Sequence, residues 1–245
     1  METGPEISLR AEPIFHLGSF TVTNSLLLGA LAALLLIILG LVLRRKLTLI
    51  PSGIQNVAET ALEGLLGLMD SVLGSRHLSE KYLPLVATIF VFVLTSNWLG
   101  LLPGMGSILV REGASHVPLL RSPSADLNFT LGLAIVAVLA INVFGVAAIG
   151  IWKHAGKFFN FKNPILFSVG FLELISEFAR MVSFSFRLFG NVFAGEVLLI
   201  IIGFLVPYIV PLPFLFLEIF VGLIQAFIFA MLTLVFIAGA VAENH

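Results

Sequence analysis

Five long apolar stretches limit what this chain can fold into more strongly than any other feature of its sequence. A helix needs about 20 predominantly apolar residues to cross the hydrocarbon core of a bilayer, and only internally hydrogen-bonded backbone is stable there. The five stretches are close to that length or longer, and they cover residues 25–43, 83–102, 127–151, 164–205 and 214–242. We therefore predict an all-α integral membrane protein with five transmembrane helices.

The composition agrees with a lipid environment and excludes several functional classes. Of the 245 residues, 59% are hydrophobic and 11% are charged, which leaves too few polar groups to cover a soluble domain. The net charge of −1 gives no basic excess for binding nucleic acid. Cysteine is absent, the five histidines lack metal-ligand spacing, and no phosphate-binding or serine-nucleophile motif occurs. We expect no cofactor, no metal and no catalysis on this chain, which forms a single membrane domain over residues 1–245.

Two segments lie outside the apolar stretches and have different characters. Residues 1–24 are partly acidic and lack a basic start, so we predict a retained, exposed N-terminal tail rather than a cleaved signal peptide. In residues 52–74 apolar side chains recur at helical spacing, with three carboxylates off that stripe. Three acids make spanning costly, so this segment is predicted to be an amphipathic interfacial helix.

Basic residues indicate how the chain is oriented in the membrane. Lysine and arginine in short loops favour the cytoplasm. Six of them follow the first and third stretches: Arg44, Arg45, Lys46, Lys153, Lys157 and Lys162. Both loops are therefore expected inside, with the N-terminus outside and the C-terminus cytoplasmic. The fourth stretch is about twice a normal span, so it is steeply tilted or partly cytoplasmic. The last two stretches, joined by a proline-rich turn, are predicted to form a long tilted helical hairpin over residues 164–242.

A polar face runs along the fourth stretch and contains an arginine among apolar neighbours. Residues three or four apart share a helix face, and this spacing joins Arg187 to Asn191. In the other direction the same face carries Ser183, Arg180, Glu177, Ser176 and Glu173. From Glu173 to Arg187 it extends roughly 21 Å, most of the way from the cytoplasmic loop to the bilayer centre. We infer a water-lined inner path that ends at Arg187; for Glu177 and Arg180 a structural ion pair is an equally good interpretation.

A second polar path is indicated by carboxylates on the opposite side. Glu196 is about half a turn out of phase with Arg187, and the proline turn brings it near the depth of Glu218. Gln225, two turns along from Glu218, then approaches Asn191. Glu196 and Glu218 could also be buried hydrogen-bond donors, and Asn191 and Gln225 interhelical polar contacts. As a permanent cation, Arg187 would separate the two paths, and its missing counter-charge is expected on a mobile carboxylate of a partner.

At this point the residues resemble subunit a of the F-type ATP synthase, the stator part of its membrane proton channel. The resemblance rests on RLFGN at residues 187–191, AGE at 194–196, and Glu218 followed by QAFIF at 225–229. PSADLN at residues 123–128 strengthens it. The similarity extends from about residue 80 to the C-terminal end, while the N-terminal third is similar only in pattern.

The resemblance implies roles for individual residues and partners. Arg187 would be the essential arginine that faces the ring of c subunits. The outer half-channel would comprise Asn191, Glu196, Glu218 and Gln225, with Asp126 and Asn128 near its entrance. The inner half-channel would comprise Glu173 and Ser176, to which the polar face adds Arg180 and Ser183. The implied assembly is the whole F-type ATP synthase in a bacterial plasma membrane, including the b-subunit peripheral stalk.

The function expected from these observations is proton translocation that couples proton-motive force to rotary ATP synthesis, with no catalysis on this chain. One rival is a secondary transporter that binds an anionic substrate at Arg187, but the sequence shows no convincing internal repeat. An intramembrane enzyme is a second rival, and it lacks a catalytic motif here. The choice between proton and sodium stays open, with protons expected.

Overall fold

The computed structural model of this protein describes most of the chain. The described residues are 8, 10–18, 20–45, 47–48, 53–102, 104–105, 108–112, 115–158 and 164–242. Their elements in chain order are β1 (Pro13–Leu17), β2 (Phe20–Thr23), α1 (Asn24–Arg45), α2 (Ile54–Leu73), α3 (Arg76–Gly100), β3 (Leu109–Glu112), β4 (Ser115–Pro118), a 3-10 turn (Pro123–Ala125), α4 (Leu127–Ile149), α5 (Ile151–Phe158), α6 (Pro164–Leu205) and α7 (Pro211–Ala242).

The predicted helical membrane fold is confirmed. Within the described ranges, five helices are long and apolar enough to cross a membrane, namely Asn24–Arg45, Arg76–Gly100, Leu127–Ile149, Phe167–Leu205 and Pro211–Val241. They correspond one to one with the five apolar stretches. The fourth begins inside α6, which is continuous from Pro164 to Leu205 as the apolar pattern indicated.

The largest difference between a predicted and an observed helix end is at the start of α3, which begins at Arg76 rather than near residue 83. Its first turns are charged and lie outside the apolar stretch, and they are anchored by a cluster of ion pairs at the corner with α2. Arg76 lies 2.9 Å from a Glu63 carboxylate oxygen, 3.1 Å from Asp70 and 3.3 Å from Glu80. Favourable charge pairing thus extends the helix beyond its apolar part.

The N-terminal residues are not simply the exposed tail that the sequence suggested. The described part forms an antiparallel hairpin of β1 and β2, whose turn contains Gly18 with φ of 65°, a conformation that glycine adopts without steric cost. Asn24 is fully buried, and its amide donates to the Pro118 carbonyl at 3.2 Å. Ala11 is buried as well. Strand pairing and these hydrogen bonds hold the segment against the rest of the protein, whereas residues 1–7 lie outside the described part.

Helix α2 occupies the segment predicted to be amphipathic, but only part of the apolar stripe expected there is buried; the stripe comprises Ile54, Ala58, Ala61, Leu65, Leu68 and Val72. Leu65 and Met69 are buried and join the hydrophobic core, while Ile54 and Leu68 are exposed. The location of this helix at a membrane interface stays a prediction, as does the tilt of the α6–α7 pair.

The core lies where α3, α4, α6 and α7 meet, and it sets the register of the polar side chains. Small residues permit close helix approach: Ala134 and Ala137 on α4 and Ala226 and Ala230 on α7 are fully buried. The rings of Phe184 and Phe229 stack at a centroid distance of 4.9 Å between α6 and α7.

Candidate ion path

The side chains of α6 and α7 meet through an amide pair one turn beyond Arg187. The Asn191 amide nitrogen donates to the Gln225 amide oxygen at 2.7 Å. Gln225 is almost completely buried, and its own amide nitrogen has no hydrogen-bond partner among the described residues. Asn191 and Gln225 are therefore close together, as periodicity and the proline turn predicted. The unpartnered Gln225 amide nitrogen is a hydrogen-bond donor buried between α6 and α7.

A cavity of about 400 Å³ is lined by both predicted outer glutamates, while Asn191 and Gln225 are not part of its lining. Its polar lining comprises Asn97, Arg121, Ser122, Glu196 and Glu218. Glu218 is buried, and its carboxylate lies directly against the backbone of Gly195. A Cβ at Gly195 would overlap that carboxylate, so the glycine of the AGE motif provides the space that Glu218 occupies.

Glu196 has a partner that sequence analysis did not identify. The Arg121 Nε atom donates to a Glu196 carboxylate oxygen at 3.1 Å, and Arg121 is only 7% exposed. Arg121 precedes the 3-10 turn and is 75 residues from Glu196 in sequence. No periodicity spans a loop, so only the fold brings these two charges together.

Asp126 and Asn128 meet at the N-terminus of α4 rather than in the wall of this cavity. One Asp126 carboxylate oxygen accepts from the Asn128 backbone N–H at 3.0 Å, which caps the helix. The other accepts from the Ser25 hydroxyl at 2.7 Å and ties α4 to α1. The cavity lining comes from other described residues, and the Asn128 side chain is exposed.

A second set of contacts joins α3 to the first half of α7. The Asn97 side-chain amide donates to the Gly222 carbonyl, and the Trp98 indole N–H donates to the Ile219 carbonyl, each at 3.0 Å. These bonds position the helix segment that carries Glu218. The sequence analysis did not predict these two hydrogen bonds, because a bond from a side chain of one helix to the backbone of another leaves no residue pattern in either helix.

Arg187 lies on an exposed face of α6. Its only hydrogen bond within the described part of the chain is a long one of 3.3 Å to the Ser183 hydroxyl, and no carboxylate there lies within ion-pair distance. A separate cavity of about 290 Å³ lies along this face, lined by Ser176, Arg180, Ser183, Arg187 and residues of α7. The spacing that predicted a common face for these four side chains is thus correct, while Glu173 lies farther along α6 and does not line this cavity.

Glu177 and Arg180 form an ion pair within α6. An Arg180 guanidinium nitrogen lies 2.6 Å from the Glu177 carboxylate, and the Arg180 guanidinium carbon lies 3.9 Å from the Phe236 ring centroid. The other Glu177 oxygen lies 3.4 Å from the Asn142 amide, whose oxygen lies 3.0 Å from Nε2 of His154. His154 lies in the segment expected to be a cytoplasmic loop, but it is buried because residues 151–158 form α5, an amphipathic helix that the sequence analysis did not predict.

These features define a class of protein: a polytopic helical membrane protein that carries carboxylates, amides and arginines on its apolar helices. The model of the ATP synthase A chain family matches residues 26–238. ATP synthase subunit a of Campylobacter concisus is 41% identical over 88% of this chain and 88% of that protein. The Campylobacter fetus subsp. fetus subunit a is 38% identical over 98% of this chain and 99% of that protein, and a Campylobacter jejuni subunit a is 39% identical over 88% and 89%.

The chain therefore belongs to the ATP synthase A chain family. Membership confirms the resemblance seen in the RLFGN and AGE motifs. Together with the five apolar helices, it identifies an integral membrane subunit of the ATP synthase whose general role is in proton transport.

Proposed function

We propose that this chain conducts protons through two offset half-channels that meet at Arg187, and that a ring of c subunits turns against its exposed face. The observation that carries the proposal is the contrast between Arg187 and two other arginines of the chain. Arg121 and Arg180 each have a carboxylate partner within the chain, whereas Arg187 has none in the described ranges. A charged group at mid-membrane depth needs a counter-charge, so a ring carboxylate that arrives and departs fits this site.

The outer half-channel in this proposal begins at the larger cavity. A proton passes from Glu196 to Glu218, which line the same space, and then along the Asn191 and Gln225 side chains towards Arg187. Carboxylates are suited to this task because they can take up and release protons, whereas amides support water or a hydrogen-bonded proton carrier. Asp126 and Asn128 act by fixing the α4 N-terminus beside this region.

The inner half-channel follows the cavity of about 290 Å³ from Arg187 past Ser183 and Ser176, with Glu173 farther towards the cytoplasm. Arg187 itself does not carry protons, because a guanidinium is a permanent cation in proteins. Its fixed charge attracts an ionised ring carboxylate and repels a proton that would cross directly between the two paths.

The orientation and partners follow from the same proposal. The outer cavity faces the outside together with the N-terminal segment, and the basic residues at the end of α1 and in α5 face the cytoplasm of a bacterial cell. A b-subunit peripheral stalk would hold this subunit stationary against the ring. ATP chemistry would take place on other subunits.

The test is ATP-driven proton pumping by the whole complex in inverted membrane vesicles. Arg187→Ala should reduce pumping to background while the complex still assembles, because the charge that separates the paths is lost. Arg45→Ala, which removes an exposed arginine at the end of α1, serves as the matched control and should pump normally. Coupled pumping by the Arg187→Ala complex would overturn the proposal.

A further inference from the structure

Arg121 is buried at a junction of three separate parts of the chain. Besides its Nε bond to Glu196, one terminal nitrogen donates to the Arg10 carbonyl at 3.1 Å and the other donates to the Ser8 carbonyl at 2.8 Å. Its guanidinium carbon lies 5.9 Å from the Phe193 ring centroid. All three nitrogens are therefore engaged, which fixes the plane of the guanidinium and, through it, the Glu196 carboxylate.

This side chain also lies in the wall between two cavities. Arg121 and Glu196 both line the cavity of about 400 Å³ that contains Glu218, and both line a smaller one of about 100 Å³ beneath the N-terminal segment. The other charged groups that face Glu196 in the described residues are Glu12, from the N-terminal segment, and Glu218, from α7. Among the described residues that line these two cavities, Arg121 is thus the cation and Glu12, Glu196 and Glu218 are the carboxylates.

We propose that Arg121 is a positioning residue for proton uptake: it holds the ionised Glu196 carboxylate at the wall of the outer cavity and releases it when Glu196 takes up a proton. This inference rests on the proposed outer half-channel and extends it. The Coulombic part of the contact exists only while Glu196 is charged, so protonation weakens the hold and frees the carboxyl group within the cavity it shares with Glu218. Transfer of the proton from Glu196 to Glu218 restores the negative charge of Glu196, and Arg121 attracts the Glu196 carboxylate back to the wall of the cavity.

A purely structural role is the competing explanation, because the Ser8 and Arg10 carbonyls also depend on this guanidinium. The two roles differ in how they depend on Glu196. A clamp on the N-terminal segment works through backbone oxygens and is indifferent to the residue at position 196. A positioning residue acts only through the Glu196 carboxylate, so its removal has no further effect once that carboxylate is gone.

The experiment measures passive proton flux against pH in vesicles of the membrane sector, with the soluble sector removed from assembled complexes. Arg121→Gln removes a positive charge beside Glu196 and so favours the protonated form of that carboxylate. The half-maximal point of the flux profile should therefore move to higher pH, by about one unit for a tenfold change in proton affinity. Arg121→Lys keeps the charge and should leave the half-maximal point within a few tenths of a unit of the parent.

The double variant Arg121→Gln with Glu196→Gln completes the test. It removes the Glu196 charge together with its cation, so that residue 196 is not left as a buried charge without a partner, and we expect the double variant to assemble even if Arg121→Gln alone does not. Its flux and profile should equal those of Glu196→Gln. A double variant that conducts much less than Glu196→Gln, or an Arg121→Gln profile that does not move, would show that Arg121 is only structural. Unchanged flux in Glu196→Gln itself would instead remove the proposed outer half-channel, so the two failures are distinguishable.

Discussion

The larger cavity and the face around Arg187 differ in how their charges are satisfied. In the larger cavity, side chains from α3, α6, α7 and the loop before α4 converge, and Glu196 pairs with a buried arginine of the same chain. On the Arg187 face, one helix supplies nearly all the polar groups, and the arginine is exposed with only a long bond to Ser183. In the first region Glu196 has its counter-charge within this chain, whereas in the second Arg187 has none among the described residues.

The difference separates two tasks that one membrane protein has to perform. A group that stores a proton between transfers benefits from a fixed environment, because a rigid site sets its proton affinity. A group that interacts with a moving partner has to stay accessible, so its counter-charge cannot be permanent. Substitutions in the enclosed region should therefore disturb geometry as well as charge, whereas substitution of Arg187 itself should act mainly through charge.

The strongest way to break this comparison is to fill the space that Glu218 uses. Gly195→Ala places a methyl group where the Glu218 carboxylate lies, so that carboxylate has to leave its position. Passive proton flux should fall by about tenfold or more, equivalent to at least ~1.4 kcal/mol in the barrier. Gly203→Ala in the same helix is the matched control, because no side chain or neighbouring backbone among the described residues lies within 4 Å of a Cβ there. Equal flux in the two alanine variants would mean that Glu218 does not need its observed place.

How much of this arrangement the sequence could predict depends on whether the relevant residues share a helix. Periodicity within α6, combined with the turn before α7, was enough to bring Asn191 to Gln225, and the apolar lengths gave the five spans. Arg121 and the two hairpins could not be found in that way. A single charge in a loop has no repeat to reveal its partner, and the paired strands, of four or five residues each, are too short for alternation to be distinguished from loop.

A second, smaller effect is expected at the link between the two regions. Gln225→Leu keeps the approximate volume of a buried side chain but removes the oxygen that accepts from Asn191 and the unpartnered amide nitrogen. Proton flux should fall about fivefold with the complex still assembled, because the polar connection from Glu218 to Arg187 is interrupted. Thr233→Val is a suitable control, since Thr233 is also buried on α7 and, within the described part of the chain, its hydroxyl bonds only to its own helix, at the Phe229 carbonyl. Normal flux in Gln225→Leu would show that the amide pair only joins the helices.

The smallest effect on flux is expected at the ion pair of Glu177 and Arg180, which tests whether the region near the exposed face contains a structural pair. Both side chains are largely buried, at 16% and 15% exposure, and the Arg180 guanidinium is also held over Phe236. If the pair is structural, Glu177→Gln changes proton flux by less than about twofold, while the thermal stability of the complex falls because a buried charge-assisted bond worth about 1.5 to 3 kcal/mol is lost.

The second substitution in the pair decides between the two interpretations. Adding Arg180→Gln to Glu177→Gln removes the uncompensated charge and should restore most of the lost stability, since a neutral amide pair leaves no ion buried alone. Glu63→Gln, which disrupts a far more exposed pair with Arg76, is the control and should change the unfolding midpoint very little. A large loss of flux in Glu177→Gln that Arg180→Gln does not reverse would make Glu177 a proton carrier. In that case the inner path extends beyond the cavity that Arg180 lines, towards Asn142 and His154.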